Sequence, residues 1–466
     1  MKKLQKISNG VHFIGIGGIG VSALAQHYLK EGYQVSGSDL VSSELIQSLK
    51  KKGIKVSLGK QRAGNLPKKL DLVVFSPAVK KDNPELKEAR KRKVKTLSYP
   101  QALGQLTKEH FTIAVSGTHG KSTTTSMLGL LLAKAGLDPT VIVGTKLKEF
   151  GNSNFRPGKS RYLVIEADEH FASFLNYWPE IIVLTSIEAD HLDYYKTLNN
   201  LILSFKRYVS HLPKQGVLVL NADDKNSKKV LAGKREFLIK KYSLKQKEAK
   251  KLRKLLKVPG EYNVANALAA LTLARVLAIP DKVSFSALRE YKGSWRRFET
   301  YPAKGFILIS DYGHHPTEVK VTLEAARKRY PKERIWSVFQ PHQYQSTYYL
   351  FNEFVKVLKR APIDRLILTD IYDVAGREGG ALKKKVSSQK LAEKIKSKKV
   401  IYLAKEKLLN YLKKQKGLFD VLIIMGAGDI YLLVDSFRAM SSLTSSSPSR
   451  FSNTQALTKR RKKRKI

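Results

Sequence analysis

Apolar runs of strand length alternate with segments of helical period along most of the 466 residues. Examples are the runs VHFIGI, FTIAVSG and DVLIIMGAG, which begin at residues 11, 111 and 420. Strands that alternate with helices in this way are typical of parallel sheets whose faces are covered by helices. The pattern therefore predicts an α/β fold that is repeated along the chain.

The order of these runs predicts three α/β units and a tail. The first unit covers residues 1–105, and the second covers 106–297 and begins with FTIAVSG. The third covers 298–440, after the segment GSWRRFE. The tail, 441–466, is rich in serine and ends in KRRKKRK. It has little apolar surface to bury, so it is predicted to be disordered.

The segment AVSGTHGKSTTT, residues 114–125, lies between a predicted strand and a predicted helix. A glycine-rich turn in this position lets backbone N–H groups and the helix N-terminus face phosphate oxygens. Lys121 would reach the β and γ phosphates of ATP, and the Ser122 hydroxyl would bind Mg²⁺. The match to the standard loop is partial, because its first glycine would fall at Val115. The alternative is a helix cap with a chance lysine.

Two acidic segments, Glu166-Ala167-Asp168-Glu169 and Glu188-Ala189-Asp190-His191, each follow a predicted strand of the same unit. In open α/β sheets, ligands bind at the carboxyl ends of strands. A metal ion that bridges phosphates to a second carboxylate needs oxygen donors there. Each segment alone is also typical of a solvated loop, but with the phosphate loop the two predict one site.

The segment GIGGIG follows the first strand and opens a helix, and Asp39 follows the next strand. Glycines in this arrangement are typical of diphosphate binding in Rossmann-like units. A sugar nucleotide satisfies the same pattern as a dinucleotide, so no redox cofactor is implied. The alternative is glycines that serve tight packing alone.

The chain carries a net charge of +47, from 86 Lys and Arg against 39 Asp and Glu. Such a charge raises nucleic acid as a partner, but the lysines are scattered over predicted helix faces and loops. No cysteine is present, which excludes disulfides and thiolate catalysis and suits a cytoplasmic location. No apolar run is long enough to span a bilayer, so no membrane insertion is expected.

Several segments occur together in one order: VHFIGIGGIGVSALA, SGTHGKSTTTSM, EADE, IEADHLD, NVANALAA, RRFE, DYGHHPTE, FQPH and MGAGDI. In this ordered set the chain resembles the Mur ligases of peptidoglycan assembly, most of all those that add L-alanine to UDP-N-acetylmuramate. The resemblance implies a Rossmann-like N-terminal domain for the UDP substrate, a central P-loop ATPase domain and a Rossmann-like C-terminal domain for the amino acid. It also implies that ATP phosphorylates the lactyl carboxylate and that the amine then attacks the acyl phosphate.

The resemblance also implies roles for individual residues of this chain. The implied catalytic residues are Lys121, Glu166, His191 and His314, and the implied Mg²⁺ ligands are Ser122, Glu166 and His191. The implied ATP contacts are Gly117, Thr118, His119, Gly120, Lys121, Ser122, Thr123, Asn263, Asn266, Arg296 and Arg297. The implied contacts of the UDP substrate are Gly15, Gly17, Gly18, Gly20, Asp39, Ser76 and His119. The implied amino-acid pocket is Tyr312, His314 and His342.

The chain departs from the family pattern where these ligases commonly read FQPHRYSRT, because Gln343 and Ser346 replace two arginines. A planar guanidinium binds a carboxylate bidentately, so the two arginines would hold the carboxylate of the amino acid. Without them, the sequence does not determine which amine is added. Arg377 or a nearby lysine is a possible substitute. The alternatives are glycine, serine or a murein peptide as the amine, a nucleic-acid-binding ATPase, and an NAD-dependent oxidoreductase, which would leave the phosphate loop without a purpose. A monomer or weak homodimer without a specific nucleic-acid partner is expected.

Overall fold

The computed structural model describes residues 10–231, 236–373 and 380–442. Of these residues, those up to Glu299, with His315–Arg329 and Tyr348–Leu350, form one compact unit. Thr300–His314, Tyr330–Thr347 and the residues from Phe351 onward form the second. Arg377 and the predicted basic tail beyond Ser442 lie outside the described residues. The three domain boundaries expected from the sequence remain predictions.

The first sheet of the first unit is parallel and has five strands. They are β1 (Gly10–Ile14), β2 (Gln34–Asp39), β3 (Lys55–Leu58), β4 (Leu70–Phe75) and β5 (Lys95–Ser98). Their order is β3-β2-β1-β4-β5, so the chain changes direction across the sheet between β1 and β4. Ligands of open α/β sheets bind at such a switch point, and the GIGGIG loop follows β1 there. The helices are α1 (Ile19–Lys30), α2 (Glu44–Lys51), α3 (Pro84–Lys91) and α4 (Tyr99–Glu109).

The second sheet, also in the first unit, has seven strands in the order β12-β11-β10-β6-β9-β7-β8. They are β6 (Phe111–Ser116), β7 (Thr140–Leu147), β8 (Ser153–Arg156), β9 (Tyr162–Ala167), β10 (Ile181–Leu184), β11 (Val217–Asn221) and β12 (Leu238–Tyr242). Strand β6 pairs in parallel with β9 on one side and β10 on the other. The phosphate loop and both acidic segments therefore leave the sheet at the same edge.

The helices of this second sheet continue the first unit. They are α5 (Lys121–Lys134), α6 (Leu192–Tyr195), α7 (Leu198–Val209), α8 (Lys225–Lys229), α9 (Lys247–Leu255), α10 (Glu261–Val276) and α11 (Asp281–Glu290). Leu128, Leu131 and Leu132 of α5 and Leu268 and Leu271 of α10 join one buried core. This core fixes the start of α5, and hence the phosphate loop, against the sheet.

The third sheet has six strands in the order β13-β14-β18-β15-β16-β17. They are β13 (Glu299–Ala303), β14 (Phe306–Asp311), β15 (Ile335–Phe339), β16 (Arg365–Leu368), β17 (Val400–Tyr402) and β18 (Val421–Met425). The helices after β13 are α12 (Pro316–Arg329), α13 (Tyr344–Tyr349), α14 (Phe351–Lys359), α15 (Gly380–Lys385), α16 (Ser388–Ile395), α17 (Leu408–Lys414) and α18 (Leu432–Ser442). Helix α12 lies within the first unit. Among the described helices, none is long and apolar enough to cross a membrane.

Candidate active site

The loop between β6 and α5 turns at two glycines with positive φ, Gly117 at +129° and Gly120 at +83°. A Cβ on Gly117 would lie 2.2 Å from Thr185 Oγ1, and one on Gly120 would lie 2.4 Å from Asn266 Oδ1. Both the backbone conformation and the space therefore require glycine. The turn brings the N-terminus of α5 to the edge of the sheet where an anion would be bound.

Lys121, the first residue of α5, folds back over its own loop. Its Nζ donates to Glu169 Oε2 at 2.8 Å and to the Gly117 carbonyl oxygen at 2.8 Å, and it lies 3.7 Å from Asp168 Oδ1. Burial lowers the pKa of Lys121, but the carboxylates of Glu169, Asp168 and Glu166 outweigh this and raise that pKa above its usual value. The side chain is therefore a permanent cation at the phosphate loop.

Ser122 and Glu166 bring two oxygen ligands together. Ser122 Oγ donates to Glu166 Oε1 at 3.0 Å, and Glu166 Oε2 accepts the Gly144 N–H at 2.8 Å. Adjacent ligands of an octahedral Mg²⁺ ion lie about 2.9 Å apart, because each bond is about 2.1 Å long. The spacing and the chemistry of this oxygen pair therefore fit Mg²⁺.

His191 belongs to a second group of possible ligands, with Asp168 and Glu169. The ligand atoms of these three residues all lie within 4.8 Å of one another. His191 Nε2 is 4.0 Å from Glu169 Oε1 and 3.8 Å from Asp190 Oδ2. Burial lowers the pKa of His191, but the carboxylates of Asp190, Glu169 and Asp168 raise it overall. A cation bound here would therefore displace a proton from the imidazole.

The sequence expectation named Glu166 and His191 as the pair that holds the metal. In the structure Glu166 is hydrogen-bonded to Ser122, whereas His191 lies beside Asp168 and Glu169. Asp168 and Glu169 lie in a segment that the sequence predicts at the site, but the family resemblance implied no individual role for either residue. We call the side chains of Glu166, Asp168 and Glu169 the acidic edge. It offers two groups of donor atoms, and Lys121 contacts the second group through Glu169.

His119, which the sequence placed near both ATP and the UDP substrate, lies between two carboxylates. Its Nδ1 is 3.4 Å from Glu318 Oε1 and its Nε2 is 3.5 Å from Glu188 Oε2. Burial lowers the pKa of His119, but these two carboxylates raise it to about 10. Thr317 Oγ1 also donates to Glu188 Oε2, at 2.5 Å. This charged cluster fastens the start of α12 to the phosphate loop.

The first glycine loop is closed by Asp39, which accepts the N–H groups of Gly17 at 2.8 Å and Leu40 at 2.7 Å. Gly15 has a φ of +76° and lies against Ser76, whose Cβ would be 3.0 Å from an added Cβ. Gly18 directly precedes α1. Gly15, Gly17, Gly18, Asp39 and Ser76 therefore surround one turn at the switch point of the first sheet. His119, which was also expected to contact the UDP substrate, lies instead in the loop between β6 and α5.

Tyr99 contacts the first glycine loop, although it is not among the residues that the sequence predicts there. A Cβ on Gly20 would lie 2.6 Å from Tyr99 Oη, so the phenol touches the first glycine loop. Burial raises the pKa of Tyr99, and the charges of Glu166 and Asp168 raise it further. A tyrosine before a proline at a helix start gives no signal of this contact in the sequence.

Two of the expected ATP contacts, Asn263 and Asn266, lie on α10, the helix that packs beside the phosphate loop; the family resemblance implies that they contact the adenine. Asn263 Nδ2 donates to the Pro259 carbonyl oxygen at 2.6 Å, and Asn266 lies directly against Gly120. The two expected arginines follow at residues 296 and 297. Arg296 is buried with a φ of +57°, and Arg297 Nη1 lies 3.6 Å from Glu318 Oε1. The assignment of these four residues to the nucleotide remains a prediction.

The three residues expected around the amino acid are together in the second unit. The His314 ring centroid lies 5.5 Å from those of Tyr312 and His342, and the His342 ring stacks on Tyr372 at 5.5 Å. Gln343, with a φ of +62°, donates its N–H to the Tyr372 carbonyl oxygen at 2.9 Å. The cluster therefore combines aromatic rings with two imidazoles, and its assignment to the amino acid remains a prediction.

A lysine lies next to the segment where the two family arginines are missing. Lys383 is paired with Asp373, and its Nζ lies 5.6 Å from the centroid of the Tyr344 ring. Tyr344 directly follows Gln343, and Ser346 lies on the same helix, α13. A cationic side chain is thus present beside this segment, although it is an ammonium in place of a guanidinium.

Comparisons with known proteins agree with one another over most of the chain. The models of the Mur ligase catalytic, middle and glutamate ligase domains match residues 10–111, 115–255 and 296–428. The UDP-N-acetylmuramate--L-alanine ligase of Clostridium acetobutylicum is 39% identical over 92% of this chain and 98% of its own length. The UDP-N-acetylmuramate--L-alanine ligase of Acetivibrio thermocellus is 40% identical over 92% of this chain and 95% of its own length. The crystal structure of UDP-N-acetylmuramate-alanine ligase MurC from Thermotoga maritima is 28% identical and has a TM-score of 0.75, over 93% of this chain and 100% of that one.

Proposed function

The chain belongs to the Mur ligase family, and from that premise we propose that it joins L-alanine to the lactyl carboxylate of UDP-N-acetylmuramate at the expense of ATP. The reaction serves peptidoglycan precursor synthesis. The observation that carries the proposal is the contact of Lys121 and Ser122, at the start of α5, with the acidic edge formed by Glu166, Asp168 and Glu169. An oxidoreductase would have no use for that arrangement.

The chemistry requires an activated carboxylate, because a free carboxylate has no good leaving group. A lactyl oxygen attacks the γ-phosphorus of ATP, ADP leaves, and an acyl phosphate forms. The neutral amine of alanine then attacks the carbonyl carbon, and inorganic phosphate leaves as the amide forms. In the first step Lys121 binds the terminal phosphate oxygens, whose negative charge is spread during transfer.

Ser122 and Glu166 are the residues proposed to hold Mg²⁺. The ion, when bound, neutralises charge on the phosphate oxygens. The Gly144 N–H orients the Glu166 carboxylate, since it donates to the oxygen that does not contact Ser122. His191, with Asp168 and Glu169, is proposed to hold a second cation or to orient the acceptor carboxylate at the same edge.

The amino acid is proposed to bind among Tyr312, His314 and His342. Two imidazoles within one aromatic cluster are suited to an amine that has to lose protons before it attacks. His314 is the proposed base, because its ring lies between the other two. A cytoplasmic location, a monomeric or weakly dimeric state and the lack of a specific nucleic-acid partner remain predictions.

The proposal is tested by mass spectrometry of the product formed from UDP-N-acetylmuramate, MgATP and an equimolar mixture of L-alanine, glycine and L-serine. The alanine adduct is expected as the main product. Formation of a glycine or serine adduct in its place would refute alanine as the substrate while leaving the ligase assignment intact. Phosphate release without any adduct, or no release at all, would refute the ligase assignment.

A further inference from the structure

A stack of aromatic rings extends from the acidic edge toward solvent. The His170 ring lies parallel to the His191 ring at 4.2 Å, and the Phe171 ring lies on the other side of His170 at 4.1 Å. The Tyr194 ring meets the edge of Phe171 at 5.5 Å. Phe171 is 45% exposed and Tyr194 is 42% exposed. Large aromatic side chains are thus presented to solvent at the end of the stack.

The backbone that presents Phe171 is in an unfavourable conformation. Phe171 has a φ of +53°, and the next residue, Ala172, has a φ of +54°. Two consecutive residues with a Cβ in the left-handed region are strained, and such strain is found most often at functional sites. Burial of the phenylalanine does not offset this strain, because nearly half of the side chain stays exposed.

Hydrogen bonds on both sides hold the turn in place. The Glu169 carbonyl oxygen accepts the Ala172 N–H at 2.8 Å and the Tyr195 hydroxyl at 2.6 Å. The Phe174 N–H donates to the Asp168 carbonyl oxygen at 3.0 Å. The same two acidic residues face Lys121 with their side chains, so the position of the Phe171 ring is fixed relative to the phosphate loop.

From this geometry we propose that Phe171 is a specificity residue that packs against the sugar ring of the acceptor substrate. The inference rests on the proposed function. Lys121 marks the end of the loop that reaches the terminal phosphates, and the acceptor carboxylate has to meet the γ-phosphorus there. Lys121 and His191 both lie against Glu169, at 2.8 and 4.0 Å, so the stack starts at the carboxylate that holds the cation of the loop. We assign its exposed end to the side on which the acceptor binds. The apolar face of a pyranose ring fits an exposed aromatic ring.

Two glycine variants separate the ring from the backbone strain. Phe171→Gly removes both, whereas Ala172→Gly relieves strain and keeps the ring. We expect Ala172→Gly to raise the thermal unfolding midpoint by about 2 °C, because glycine adopts positive φ without a steric cost. Phe171→Gly also loses the packing of its ring on His170 and Tyr194, so its midpoint should lie below that of Ala172→Gly. Only Phe171→Gly should weaken binding of UDP-N-acetylmuramate, by about 3- to 10-fold as measured by titration calorimetry. Binding of UDP alone and the KM for ATP should stay unchanged, and Phe171→Tyr should bind like the wild type.

Several results would overturn the proposal. Equal affinity of wild type and Phe171→Gly for UDP-N-acetylmuramate would show that the ring makes no contact with the sugar. A rise in the KM for ATP alone would assign the ring to the adenine. A lower unfolding midpoint in Ala172→Gly would show that the backbone is not strained, which would remove the reason for assigning Phe171 a functional role. Failure of the wild type itself to bind UDP-N-acetylmuramate would instead refute the proposed function, on which the sugar contact depends.

Discussion

Replacing Lys121 by methionine removes the ammonium and keeps the unbranched stem. Glu169, which is fully buried, then loses the cation at 2.8 Å from its Oε2. Loss of one partner from a buried ion pair costs about 3–5 kcal/mol, whereas loss of both charges costs far less. The Lys121→Met variant should therefore be strongly destabilised. The double variant with Glu169→Gln should recover most of that loss. Both should release phosphate at least about 100-fold more slowly than wild type, because the cation for the terminal phosphates is missing.

The assay combines denaturant unfolding in the absence of ATP with phosphate release in the presence of all substrates. Burial raises the pKa of Glu169, and Lys121 opposes that rise. Without the lysine the pKa of Glu169 rises further, so the deficit of Lys121→Met is small near pH 4.5 and grows as the pH increases. Lys134→Met is the matched control, since Lys134 lies on the same helix in an exposed pair with Glu290 and should cost at most about 1 kcal/mol. Equal stability of the single and double variants, or retained phosphate release, would refute the reasoning.

Three further predictions concern the same edge. Glu166→Gln should raise the Mg²⁺ concentration for half-maximal turnover about 10- to 100-fold, because Ser122 would lose its partner ligand; an unchanged Mg²⁺ titration would exclude Glu166 as a ligand. Gly117→Ala places a Cβ 2.2 Å from Thr185 Oγ1 and should abolish ATP binding in calorimetry, so retained affinity would contradict the loop assignment. Burial lowers the pKa of His119, but two carboxylates raise it to about 10. The protonated imidazole therefore stabilises the folded state fully below about pH 6.5, and this contribution is lost as the pH rises toward 10. The loss of unfolding midpoint in His119→Gln should shrink over that range, and a constant loss would show that the charge is unimportant.

The sequence predicted the α/β class and the location of the phosphate loop because both depend on short-range patterns. The helix predicted to open at GIGGIG is observed as Ile19–Lys30, and the helix predicted after the phosphate loop is observed as Lys121–Lys134. Gly117 and Gly120 have positive φ, which glycine adopts most readily. The glycines of GTHGKS therefore indicate the turn from the sequence alone. The convergence of acidic strand ends follows from parallel pairing.

The hydrophobic pattern does not predict short polar strands. Lys55–Leu58 and Lys95–Ser98 lie at the two edges of the first sheet and carry few apolar residues. An edge strand has only one neighbour and an exposed side, so its hydrophobic pattern is weak. Strand pairing, which the sequence alone does not display, holds both in place.

The details of the site were only partly predictable. Four consecutive positions, Glu166 to Glu169, contain three acids, and each looks equally able to bind a metal in the sequence. The structure gives them different roles because the strand ends at Ala167 and the chain then turns, so that Glu169 points to Lys121 while Glu166 points to Ser122. The contact of Tyr99 with Gly20 joins distant segments and leaves no local signal.

Transfer of oxygen from the acceptor to phosphate tests the central claim most directly. UDP-N-acetylmuramate labelled with ¹⁸O in both lactyl carboxylate oxygens would be incubated with MgATP and L-alanine. Phosphate and product would then be analysed by mass spectrometry. An acyl phosphate requires one labelled oxygen in each phosphate released and one in each amide formed. Unlabelled phosphate, with both labels retained in the acceptor, would contradict activation of the carboxylate by ATP.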